Sequence, residues 1–359
     1  MYSKLRNIIF IFLFSLSVFI YLRFPEETGL AVREALDRCL EIMIPSMFAF
    51  MCICCIITET GLHHVIGRPF RFISEKVFRL PQGCFSIFLL SMISGYPAGE
   101  KLIFSQLDKG CINRQQADRM SLFCFASGPA FISGTTASIL FKDSNAGLII
   151  FLSITCSNVI LSLITAAKAP AVSGKRTEVK TEITASAFVS GINSAASAML
   201  KMCVMIIAFS SFYKIAELAG INGILEKAVE KIFSVNSNAS KAIVSSFFEI
   251  SCITTFPKYM YSMLPLITAL LSFGGVCVLL QIISVSGQRI PVGKFLVGRL
   301  FSSAVSAAIC RMLMPWLECP SIAVSGNFST VRSASPFPSV LLIIMTMLLL
   351  TKSHGQKRI

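Results

Sequence analysis

Apolar runs of roughly bilayer-spanning length recur near residues 8–22, 42–60, 82–95, 120–141, 147–167, 187–213, 239–256, 262–285, 295–315 and 338–351. In hydrocarbon a helix is the element that satisfies its own backbone, so each run predicts a membrane helix. Two of them, 82–95 and 239–256, are too short or too polar for a simple crossing. Between the runs lie amphipathic connectors. Residues 61–80 set Arg68, Arg71, Lys76 and Arg79 among Val65, Ile66, Phe70, Phe72 and Phe78. Residues 220–237 place Ile224, Leu225, Val229, Ile232 and Phe233 on one helical face. Both patterns predict segments lying at the membrane interface.

The pattern repeats. In the first half an apolar helix (42–60) is followed by an amphipathic connector and a short run ending in Ile93-Ser94-Gly95-Tyr96-Pro97. A helix interrupted at Phe125–Gly134 comes next. In the second half an apolar helix (199–219) leads to a connector, a short run ending in Phe247–Pro257, and a helix interrupted at Gly274-Gly275. The expected fold is an all-α polytopic integral membrane protein of about nine or ten membrane segments, built as two inverted repeats with broken or re-entrant helices. The chain divides into an N-terminal membrane helix (1–34), a first repeat (35–167), a polar linker (168–184), a second repeat (185–315) and a closing loop, helix and basic tail (316–359). Residues 1–24 read as an uncleaved helix with a cytoplasmic N-terminus, because no small-x-small site follows the apolar run. If the basic connectors 61–80 and 100–119 obey the positive-inside bias, the short run between them is a re-entrant hairpin; the alternative is a full crossing.

The breaks are where chemistry is expected. Pro97 removes a donor and pushes Tyr96 out of the helical region, and Gly95 and Gly99 permit a sharp reversal. The same residue types recur at Ser127-Gly128-Pro129. Helices broken in corresponding order in two halves point to a transporter site, with half-helix ends facing a solute. A proline kink in a packed bundle is the plainer reading. Glu249, inside an apolar run, either faces a cavity with a partner or snorkels from a helix end. Lys101 is the nearest motif-borne cation of the other half, although Glu100-Lys101 also reads as the solvated start of a connector.

Composition narrows the class. The chain is 54% hydrophobic and 14% charged with a net charge of +14, its basic residues lying between apolar runs. That distribution excludes a folded nucleic-acid surface. Thirteen cysteines are scattered without CxxC spacing and read as small apolar packing residues. His63 and His64 read as an interfacial polar patch. No metal, cofactor or enzymatic motif of the HExxH, GxSxG or P-loop kind is present, so no enzyme is expected.

The stretch Ser94-Gly95-Tyr96-Pro97-Ala98-Gly99-Glu100-Lys101 resembles the turn motif of the YlbJ-type sporulation integral membrane proteins. Gly128-Pro129-Ala130-Phe131-Ile132-Ser133-Gly134-Thr135 and Glu249-Ile250-Ser251 match that family's further elements. The resemblance covers roughly residues 35–315. It implies two nucleoside-recognition, or Gate, segments and a role in spore envelope (cortex) formation at the mother-cell or forespore membrane. Together the two lines of reading make Ser94, Gly95, Tyr96, Pro97, Gly99, Lys101, Ser127, Gly128, Pro129, Gly134, Thr135, Glu249 and Ser251 the candidate solute-contacting residues. The expected function is a permease for a small polar solute, with the bilayer as surroundings. The alternative is a non-transporting scaffold that recruits sporulation membrane proteins.

Overall fold

Phe24 separates α1 (Tyr2–Arg23) from α2 (Pro25–Arg38). Pro25 opens α2 because its missing N–H would be an orphan at that position anyway, and Glu26 and Glu27 complement the positive end of the helix. A π-helical turn, Cys39–Met43, hands the chain directly to α3 (Ile44–Glu59), giving one 35-residue helix. The computed structural model describes residues 2–167, 169, 183–258, 260–287 and 289–317. Nearly all of the linker 168–184, and the expected late loop, final helix and basic tail, lie outside the described residues.

The rest of the first half is α4 (Leu62–Gly67), a π turn at Ile73–Val77, α5 (Cys84–Ser94), α6 (Ala98–Asp108), α7 (Arg114–Phe123), α8 (Pro129–Ile132) with a π-helical continuation Ser133–Phe141, and α9 (Ser144–Ala167). Asn113 and Gln116 close a reciprocal cap at the start of α7. The second half is α10 (Ala185–Leu218), α11 (Ile221–Phe233), α12 (Ser237–Phe248), 3-10 turns at Ile250–Thr255 and Tyr261–Met263, α13 (Leu264–Phe273), α14 (Gly275–Val285) and α15 (Val292–Leu313). These elements form one unit, Met1–Met314; of the second unit, Pro315–Ile359, only the first residues are described. Among the described residues there is no strand. Five helices are long and apolar enough to cross a membrane: Pro25–Glu59, Ser144–Ala167, Ala185–Leu218, Tyr261–Val285 and Val292–Leu313. Cys84–Ser94 and Pro129–Phe141 are apolar but shorter. The sequence counts more segments than this because broken runs read as crossings when taken one at a time.

α5 and α6 fold back on each other. Gly99 sits so close to Ser91 that an added Cβ would lie 2.8 Å from the serine Cβ. At the other end both helices are tied to His63: Ser86 Oγ donates to its carbonyl at 2.6 Å, and its Nε2 lies 3.1 Å from Gln106 Oε1. The hairpin therefore has both feet at the connector 61–80. Cysteines introduced at Phe72 and Gln115 are expected to react with an impermeant maleimide from the same side of the membrane; labelling from opposite sides would rule out the re-entrant form.

His63 corrects its sequence reading. It is 1% exposed, no interfacial patch, because it pins the hairpin base. Burial, and then the neighbouring His64, push its pKa down from 6.5 to about 4. Below about 6.5 the unfolded chain takes up a proton that the folded chain refuses, so stability is present above that pH and falls as pH drops toward 4. The loss is on the order of 2–3 kcal/mol. Melting curves in detergent between neutral and mildly acid pH should show it, and His63→Gln should flatten the dependence.

α3 packs on α10, and both α9 and α13 pack on α15. The cysteines follow their expected role for the most part: Cys39, Cys54, Cys55, Cys84, Cys124, Cys203, Cys277 and Cys310 are buried.

Candidate functional site

The turn between α5 and α6 crosses the turn between α7 and α8. Gly95, at φ +73°, lies backbone to backbone against Gly128: a Cβ on Gly95 would sit 2.8 Å from the Gly128 nitrogen, and one on Gly128 would sit 2.8 Å from the Ile93 carbonyl oxygen. Only glycine satisfies both the left-handed φ and that approach. The Tyr96 N–H, freed by the break, donates to the Ala126 carbonyl at 2.9 Å. The Tyr96 ring stacks on Phe125, centroids 4.8 Å apart. Phe125 carries the contact into the second half, since a Cβ on Gly274 would lie 2.5 Å from its Cζ. Gly275 lies against the Ser246 and Phe247 carbonyls at the end of α12, and Ser127 Oγ reaches the Leu271 carbonyl at 3.5 Å. The four interruptions thus form one continuous knot.

The carbonyls left at the end of α7 are met by side chains. Asn158 Nδ2 donates to the Phe125 carbonyl at 2.8 Å, and Arg299 donates to the same oxygen at 3.2 Å and to the Leu122 carbonyl. Asn158 Oδ1 in turn accepts from Arg299 at 3.3 Å and from Ser302 Oγ at 3.1 Å. The guanidinium also lies 4.6 Å from the centre of the Phe125 ring. A cation at the negative end of a half-helix is the favourable sign. Glu100 mirrors it in the first turn of α6, where a negative charge is favourable. It is 1% exposed and accepts from Ser121 Oγ at 2.8 Å, so it is a buried group and no solvated connector residue.

Glu249 ends α12 in an extended conformation and caps the following 3-10 turn. Its carboxylate accepts from the Ser251 N–H at 2.9 Å, from the Ser251 hydroxyl and from Cys252 Sγ at 3.6 Å. Snorkelling from a helix end does not describe it, for it is 2% exposed. It borders a half-open cavity of about 620 Å³ between α2, α10 and α12. Arg38 lines the same cavity and donates to Ser251 Oγ at 3.2 Å and to Ser210 Oγ at 2.9 Å.

The expected counter-charge is therefore misplaced in the sequence reading. Lys101 Nζ donates to the Ser194 carbonyl at 2.6 Å and lines a separate, more open cavity of about 530 Å³ with Ser186, Ser190, Asn193 and Ser197. Arg38 is the cation nearest the Glu249 cap through Ser251. Ser94, Gly95, Tyr96, Pro97, Gly99, Ser127, Gly128 and Pro129 meet in the knot, but none of them lines either cavity. Thr135 is buried with its hydroxyl on the Phe131 carbonyl at 2.6 Å, and Gly134 faces Ser46 on α3. Arg38, Asn158 and Arg299 were missed. The signal for Arg299 was available: an arginine inside the apolar run 295–315 is an intramembrane charge that needs a partner.

No family model and no solved structure matches the chain. The chain is similar to the sporulation integral membrane protein YlbJ of Bacillus subtilis strain 168, with 24% identity over 148 residues, or 41% of this chain. The match spans 36% of that protein's own length. The apolar helices and this similarity make the chain an integral membrane protein that resembles the YlbJ sporulation protein.

Proposed function

We propose that the chain is a permease for a small polar solute needed in building the spore envelope, its cortex included, and that it performs no covalent chemistry of its own. One observation carries the reading: the knot of interrupted helices ends, at Glu249, on the wall of a cavity of about 620 Å³ lined by charged and polar side chains. Irregular backbone at membrane depth is tolerated where it is covered by protein or lines a cavity, and in transporters solute sites lie at such interruptions. The element order α3, α4, α5/α6, α7/α8, α9 recurs as α10, α11, α12/3-10 turn, α13/α14, α15. Corresponding members pack together, α3 with α10 and α9 with α15, as two Gate-like inverted repeats would. The relative's printed name supports sporulation, and its site is the mother-cell or forespore membrane on this reading.

A second reading is favoured by a different observation. The first-half turn residues line neither cavity, and the break-end N–H of Tyr96 and carbonyls of Leu122 and Phe125 are satisfied by the protein itself. That is what a scaffold for envelope-assembly proteins needs. Uptake of labelled polar metabolites into proteoliposomes separates the two: uptake above protein-free vesicles supports the permease, and none across the classes tried supports the scaffold.

A further inference from the structure

The charges in the Glu249 cavity are not all matched. Glu217 is shared by Lys214 at 3.0 Å and Lys241 at 2.6 Å, so those three groups neutralise one another in large part. Arg38 has hydroxyl partners only, Ser210 and Ser251. Among the described residues no carboxylate lies within 4.0 Å of it, and no cation lies within 4.0 Å of Glu249. One hydroxyl, that of Ser251, stands between the two: it accepts from Arg38 and donates to Glu249. A half-buried guanidinium and a buried carboxylate, one bridging hydroxyl apart and each lacking an ionic partner, are arranged for a ligand that carries both charges.

We propose that this cavity binds a zwitterionic solute of the α-amino acid type, its carboxylate on the Arg38 guanidinium and its ammonium group on Glu249. The proposal rests on the permease reading and names the class of solute. The guanidinium is a planar fork that matches a carboxylate with two parallel hydrogen bonds. Ser210 offers a further hydroxyl beside it. Asn238, Tyr213 and Thr255 complete a polar wall, and Glu27 and Glu34 line the outer part of the cavity. The volume, about 620 Å³, is within the range of small-molecule sites. A ligand with only one of the two charges leaves the other protein charge desolvated and unmatched, and sites built this way reject such analogues strongly.

The test is equilibrium binding to the purified full chain in lipid nanodiscs, read as thermal shift. The panel is the proteinogenic α-amino acids, the amide and decarboxylated amine of any that bind, the matching simple carboxylic acids, and aliphatic and aromatic dicarboxylates. At least one α-amino acid should stabilise the chain, and its single-charge analogues should bind about tenfold or more weakly. Arg38→Gln should abolish the response to the amino acid, as should Glu249→Gln. If Arg38→Gln does not fold, Arg38→Lys, which keeps the charge and loses the fork, should weaken binding, and the panel on the native chain decides by itself. No response to any amino acid, or equal or tighter binding of a carboxylate or dicarboxylate without an amine, would overturn the proposal. Binding of an amino acid without its uptake into proteoliposomes would sink the permease and leave the zwitterion site standing. Uptake of a singly charged solute would do the reverse.

Discussion

Arg299→Met is expected to lower the stability of the solubilised protein by roughly 3–5 kcal/mol, the cost of breaking a buried charged network from one side. The substitution keeps much of the apolar contact and removes every donor. The Leu122 carbonyl loses its guanidinium, and the Phe125 carbonyl keeps only Asn158. Asn158 Oδ1 is left with Ser302 alone. Arg299 itself is 0% exposed, so no water is at hand to replace it. Arg299→Lys should fall between, because a point charge on a flexible stem does not reach two carbonyls and a side-chain amide at once. Glu100 has one buried carboxylate oxygen without a hydrogen-bond partner and balances the arginine at longer range. The double variant Arg299→Met with Glu100→Gln should therefore lose less than the sum of the two single losses. Melting temperatures in detergent report all four proteins; an unchanged value for Arg299→Met would mean that the knot does not depend on this residue.

The same residue shows what a sequence conveys and what it withholds. Apolar runs, amphipathic connectors and the Gly-Tyr-Pro and Ser-Gly-Pro interruptions are local patterns, and local chemistry dictates them: a proline cannot continue a helix, and a glycine at φ +73° admits no side chain. The order of elements was legible for that reason. Which interruption touches which was partly legible, because matching order in two halves implies matching places in the fold. The pairing of charges was not. Lys101 stands in the motif and Arg38 stands outside it, yet Arg38 meets Ser251 across 213 positions while Lys101 turns to α10. Nothing in a run of residues distinguishes these cations; helix packing does. The buried position of Glu100 was hidden for the opposite reason, since a Glu-Lys pair at a helix start is the ordinary mark of a solvated end. Both residues sit in the first turn of α6, but α6 returns into the protein along α5, so one side chain faces inward and its neighbour faces α10.

Glu249→Gln separates the permease from the scaffold. Glutamine keeps the size of the side chain and one acceptor for the Ser251 N–H, so the cap on the 3-10 turn survives. What disappears is the negative charge on the cavity wall. If a solute is held there, charge-assisted bonds to it are lost, which costs about ten- to a hundredfold in affinity. The variant protein should then be present in the membrane at the normal level while the yield of heat-resistant spores falls by a comparable factor. A scaffold makes the opposite demand. Its surface is unaltered by a change at a group 2% exposed, and removing an unmatched buried charge leaves the bundle as stable as before or more so. Immunoblotting of membranes and counts of resistant spores from the same cultures give both quantities. Normal protein with normal spores would remove Glu249 from any solute path and transfer the weight to the scaffold. Normal protein with defective spores is the outcome that the cavity, its unmatched arginine and its unmatched glutamate lead us to expect.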